Sequence, residues 1–82
     1  MFLLNPKSKL PLYEQLVEQL RKQIVLGNAA PSSPLPSVRQ LSVELGVNPN
    51  TIQKAYREME QEGLIVSLPG RGSFVTSDVA RM

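Results

Sequence analysis

The sequence predicts a mainly α-helical domain with a small β-hairpin: the winged helix-turn-helix, three helices plus a wing. Two observations carry this expectation. Gly46 closes one amphipathic stretch, and only Val47 and Asn48 precede the next; two helices joined by a short Gly-containing turn are the helix-turn-helix unit. After the second of these stretches, the β-prone runs "LIVSL" and "SFVT" flank "PGRG", which reads as a hairpin.

Taken in order, residues 1–9 mix apolar and basic residues around Pro6 and read as an N-terminal arm, with a short strand expected at Phe2–Leu4. A first helix is expected from Pro11, because proline suits the first helical position. Leu12, Leu16, Leu20 and Ile24 form one stripe, widened by Tyr13 and Val17, and the pattern ends near Gly27. "NAAPSSP", residues 28–34, reads as a loop. Ser37 is a strong N-cap, and Gln40 three residues on completes a capping box. Val38, Leu41 and Leu45 share the buried face of this second helix, and Gly46 ends it. Asn48 is a good N-cap and Pro49 a good first residue for a third helix running to about Glu62, which Gly63 stops. The hairpin loop is expected to hold four residues, Pro69 to Gly72. The domain thus spans residues 10–77, with 78–82 as a tail.

Composition excludes several classes. A chain of 82 residues is one domain's worth. It has no Cys and no His, so disulfides, thiolate chemistry and the commonest general base are absent. The acids lie on helix faces or tails, and Ser37 and Ser42 have no His to activate them. Neither catalysis nor a cofactor or metal is implied. The apolar start "MFLL" is too short for a signal-peptide core, and no run approaches the ~20 apolar residues of a membrane span. A cytoplasmic, nucleoid-associated protein is expected. The net charge of +2 is only mildly basic, so the placement of charge matters more than its sum.

That placement is uneven on the third helix. With ~100° per residue, Ile52, Ala55, Tyr56 and Met59 gather on one side. Asn50, Gln53, Lys54 and Arg57 gather nearly opposite, without a carboxylate. Amide and basic side chains are what base edges and phosphates select. Glu58, Glu60 and Glu62 crowd the last turns, where acids oppose the helix dipole. This ordering suits a helix that enters the major groove of DNA by its N-terminal end, with Asn50, Gln53 and Lys54 expected to read bases and Thr51, Arg57 and Arg39 expected to hold phosphates. The blander reading is a solvated face, with Lys54 and Glu58 as a surface pair. Arg39, one turn into the second helix, suits a phosphate contact, because that helix crosses the DNA backbone. Arg71 between Gly70 and Gly72 suits a minor groove; its bland reading is a tight turn with a solvated Arg.

With these residues in hand, "LPSVRQLSVELGVNPNTIQKAYREMEQEGLI" followed by "GRGSFV" resembles the DNA-binding domain of the GntR family of bacterial transcription regulators. The likeness extends back through "PLYEQLVEQLRKQIVLG" and is similar in particular to the YtrA-like subgroup. It implies a dimer on a palindromic double-stranded DNA operator, in a repressor whose effector is unknown. It places DNA contacts at Arg39, at Asn48, Asn50, Thr51 and Gln53, and at Gly70, Arg71 and Gly72. It also implies a C-terminal dimerisation or effector region beyond the tail. Two departures stand out: Pro31-Ser32-Ser33-Pro34 replaces the family's Pro-Gly and following acidic residue, and Pro69 replaces a polar wing residue. Alternatives are a winged helix that binds protein, and the DNA-binding head of a larger chain with an aminotransferase-like domain.

Overall fold

The computed structural model describes residues 2–76; the expected tail, 78–82, and residue 77 lie outside the described residues. Its elements are α1 (Leu12–Val25), α2 (Val38–Leu45), α3 (Pro49–Gln61), β1 (Ile65–Leu68) and β2 (Gly72–Val75). The predicted fold class is the observed one.

Local signals set most boundaries. The Ser37 Oγ accepts from the Gln40 N–H while Gln40 Oε1 accepts from the Ser37 N–H, each at 3.0 Å. This reciprocal cap starts α2 at Val38. Pro49 is the first residue of α3, and Asn48 caps it through the Asn50 N–H at 2.8 Å. Gly46, at φ +66, is the left-handed residue that turns the chain from α2 towards α3. The first helix begins one residue later than expected. Pro11 is its cap, with ψ 148 outside helical range, and Leu12 is the first helical residue.

Leu16, Leu20 and Ile24 from α1, Leu41 from α2, Ile52, Ala55, Tyr56 and Met59 from α3, and Leu64, Ile65 and Val75 around the hairpin form one buried core. The Tyr56 hydroxyl leaves this core to donate to the Pro36 carbonyl at 2.6 Å, tying α3 to the start of α2. Burial, with a smaller contribution from Glu44, pushes the Tyr56 pKa from 10.0 up to about 12. Between those values the folded chain holds a proton that the unfolded chain has released. The stability tied to the neutral phenol is therefore complete below pH 10 and falls as pH rises towards 12. Tyr56→Phe is expected to lose about 1 kcal/mol at neutral pH through the missing bond. It should also lack this part of the alkaline decline, which urea unfolding of both chains at rising pH measures.

The arm differs from expectation. No strand forms at Phe2–Leu4. Phe2 is buried in the core, and two glutamine amides of α1 clasp the backbone beside it. The Gln19 side chain accepts from the Leu3 N–H at 2.8 Å and donates to the Leu3 carbonyl. Gln15 does the same for Asn5, at 2.8 and 3.0 Å, and also donates to the Leu10 carbonyl at 2.8 Å. Side-chain amides four residues apart on one helix face thus stand in for a neighbouring strand, and the arm lies fastened to α1.

The segment expected as a plain loop is also more ordered in its pairing. β1 and β2 are antiparallel, with Ile65 opposite Val75 and Leu68 opposite Gly72. The free edge of β2 is taken by residues 32–35: Ser32 N–H to Val75 O, Val75 N–H to Ser33 O and Leu35 N–H to Ser73 O, each at 2.9 Å. Ser33 N–H donates back to Ala30 O at 3.2 Å, closing a turn with Pro31 and Ser32 at its centre. Ser32 has φ +64, the one non-glycine positive φ among the described residues. This is the turn that proline followed by glycine favours. Ser32→Gly is expected to relieve a left-handed strain of ~1–2 kcal/mol. Glycine's larger unfolded-state entropy offsets roughly half of it. A net rise of a few degrees in melting temperature checks this.

Candidate nucleic-acid interface

The wing is shorter at its tip than expected. Leu68 pairs with Gly72, so the loop holds three residues, Pro69 to Arg71. The Arg71 N–H donates to the Leu68 carbonyl at 2.9 Å. Gly70, at φ +74, supplies the positive angle that a turn with proline before it requires. Gly70, Arg71 and Gly72 are all exposed.

The turn between α2 and α3 is held by a residue that sequence reasoning passed over. The buried Ser42 hydroxyl donates to the Val47 carbonyl at 2.6 Å, and Val47 N–H returns to the Ser42 carbonyl at 3.1 Å. These bonds fix the angle at which α3 leaves the turn. Asn48 is exposed, but its Oδ1 is spent on the Asn50 N–H. Its amide N–H donors remain to offer outward.

Along α3 the two expected faces are present. Ile52, Ala55, Tyr56 and Met59 are buried, while Asn50, Gln53, Lys54 and Arg57 are exposed and Thr51 is half-buried. The exposed set is not one cluster. Gln53 and Arg57 line a groove against the hairpin with Val38, Tyr56, Glu60, Ser67 and Ser73. Lys54 turns the other way, its Nζ lying 4.2 Å from the centre of the Tyr13 ring on α1. The surface pair of Lys54 with Glu58 that the blander reading offered is not among the ion pairs of the described residues. Arg39 is exposed on α2 and lines a separate shallow concavity with Pro36, Gln40, Val43 and Glu44.

Two of the three acids at the end of α3, Glu60 and Glu62, have partners within the chain. Glu62 pairs with Arg21 of α1, which also holds Glu18 at 2.6 Å. The Ser67 hydroxyl donates to Glu60 Oε2, fastening the hairpin to α3. These contacts give the two carboxylates a structural reason to sit where the helix dipole disfavours them. Glu60 also borders the groove that holds Gln53 and Arg57, so that groove is not free of carboxylate beyond the second turn. Ser67 and Ser73 were not foreseen there, although they oppose each other in the hairpin register.

Charge commitment separates the two sides of the molecule. Among the described residues, the side chains of Arg39, Asn50, Thr51, Gln53, Arg57 and Arg71 make no hydrogen bond or ion pair within the chain. Arg21, by contrast, is held by two carboxylates, which raise its already high pKa. No group of acids among the described residues is arranged to hold a metal ion. No helix among them is long and apolar enough to cross a membrane.

An uncommitted amide and cation face on the second helix of a helix-turn-helix, with a wing beside it, defines a winged helix-turn-helix regulator domain. The chain belongs to the family described as "Bacterial regulatory proteins, gntR family", which matches residues 12–75. The HTH-type transcriptional repressor YtrA of Bacillus subtilis (strain 168) is 41% identical over 78 residues, 95% of this chain and 60% of that protein. This chain therefore spans about three fifths of that relative's length. YtrA from Sulfolobus acidocaldarius, a GntR-family transcription factor, has a similar structure, with TM-score 0.87 and 39% identity over 98% of this chain and 84% of that one. AraR(DBD) in complex with operator ORE1 is similar with TM-score 0.74 and 32% identity, over 93% of each chain.

Proposed function

We propose that the chain binds double-stranded DNA sequence-specifically as part of a bacterial transcriptional repressor. The observation that carries this is the uncommitted face of α3. Desolvating amide and guanidinium groups is costly unless they gain partners, and a groove of duplex DNA offers partners of the required kind. The repressor name of the Bacillus subtilis relative and the operator-bound AraR domain support the same reading.

In this reading α3 enters the major groove by its N-terminal end. Asn50 and Gln53 read base edges. Thr51, Arg57, Arg39 and the Asn48 amide hold phosphates, and Arg71 between Gly70 and Gly72 reaches the minor groove. Two copies on a palindromic operator address half-sites about one helical turn, ~34 Å, apart. The protein acts in the cytoplasm, on the nucleoid, by occluding promoter DNA.

The test is the salt dependence of binding to duplexes selected from a random pool. Affinity is expected to fall with salt with a slope near −0.9 per phosphate neutralised. Arg39→Ala should weaken binding to all sequences alike and flatten that slope by about one contact. Salt-insensitive binding, or an unchanged slope for Arg39→Ala, contradicts the reading.

A further inference from the structure

Lys54 stands apart from its neighbours on the exposed face of α3. Its ammonium lies over the Tyr13 ring of α1, 4.2 Å from the centroid. Asn50, Gln53 and Arg57 have no such internal contact. The Tyr13 ring is itself held in place. It is half-buried and packs against the core, and its hydroxyl donates to Glu14 Oε1 at 3.0 Å.

The surroundings favour a cation at that spot. Tyr13 lines a cleft between α1 and α3 with Leu10, Glu14, Val17, Glu18, Arg21, Glu58 and Glu62. Arg21 is taken up by Glu18 and Glu62, which leaves Glu14 and Glu58 acting on the ring. Their negative charge raises the Tyr13 pKa, chiefly through the hydrogen bond to Glu14. Ring face and carboxylates therefore draw the ammonium the same way. DNA phosphates would repel those carboxylates, so the α1 side of α3 is the side turned from the duplex.

We propose that Tyr13 is a specificity-determining positioning residue: its ring parks Lys54 against α1, away from the DNA-facing side of α3 that Asn50, Gln53 and Arg57 present. The proposal rests on the DNA-binding reading above. A lysine freed on the same helix is a long, flexible point charge able to reach any nearby phosphate. Such a contact adds affinity for every sequence and so dilutes preference. The ring acts by withholding a cation.

The test compares wild type, Tyr13→Phe, Tyr13→Leu and the double variant Tyr13→Leu/Lys54→Gln, each as the 82-residue chain. The first measurement needs no DNA. The Lys54 ε-methylene protons are expected upfield of an ordinary lysine through the ring current, in wild type and in Tyr13→Phe, and at the ordinary position in Tyr13→Leu. An ordinary position in wild type overturns the proposal. The second measurement uses a duplex selected by wild type and a scrambled duplex of equal length. Tyr13→Leu should steepen the salt slope by about 0.9 and bind the scrambled duplex more tightly than wild type does. The double variant should return to the wild-type slope, and Tyr13→Phe should never leave it. Wild type that binds with an unchanged slope in Tyr13→Leu overturns this proposal alone. Wild type that binds neither duplex overturns the DNA reading and this proposal together, even with the ring-current shift in place.

Discussion

Ile52→Ala is expected to destabilise the domain by about 3–4 kcal/mol, because truncating a fully buried side chain loses its burial and leaves a cavity. Ile52 is 0% exposed and sits on the back of α3 among Ala55, Tyr56 and Met59. It is also adjacent in the chain to Gln53, so the residue that anchors the helix and the one that faces the groove are neighbours. For a domain of this size, the loss corresponds to a fall in melting temperature of roughly 12–32 °C. Since small domains are stable by only about 5–15 kcal/mol, much of the margin would go. Thermal melts followed by circular dichroism measure it. Val43→Ala, at a side chain 79% exposed, is the control and should stay within ~0.5 kcal/mol of wild type. A loss for Ile52→Ala no larger than the control's would mean that α3 is not seated on this core.

The second large effect concerns DNA. Gln53→Ala is expected to cost ~1–3 kcal/mol at one base position of the selected site, about a tenfold to hundredfold loss of discrimination there. Affinity for scrambled duplex should barely change, because a neutral amide releases no counterions. Gln53 is exposed, has no side-chain partner among the described residues, and lies in the groove between α3 and the hairpin beside Arg57. Its loss is expected to leave the fold intact while removing the amide that the proposed docking sets against a base edge. Competition binding against a panel of single-position variants of the selected duplex checks this. Uniform weakening across the panel would make Gln53 a backbone contact instead.

Much of the scaffold was legible because it is specified locally. The Ser37 and Gln40 cap spans four residues, the Asn48 and Pro49 start spans two, and Gly46 acts through its own φ. The buried and exposed faces of α3 follow from periodicity within one helix. What escaped was set by partners distant in sequence. Gln15 and Gln19 look like ordinary polar helix positions until the arm, ten and sixteen residues away, lies beside them. Residues 32–35 read as loop by their prolines and serines, yet they pair with β2, some forty residues on. A proline tolerated at an edge is consistent with that place. The same holds at the interface. Helical spacing put Lys54 with Asn50, Gln53 and Arg57, whereas the Tyr13 ring, on another helix, draws it aside. Spacing along one helix ranks side chains by angle but does not say which neighbouring helix competes for them.

The most direct check of the account is side-chain NMR of the 82-residue chain titrated with its selected duplex. The side-chain N–H signals of Asn50, Gln53, Arg57 and Arg71 are expected to shift and broaden, while the Arg21 side-chain N–H signals and the Glu14 and Glu58 side-chain carboxyl carbon signals, which report the α1–α3 cleft, stay in place. Perturbation confined to that cleft, with the Asn50, Gln53 and Arg57 signals unmoved at saturation, would contradict the account.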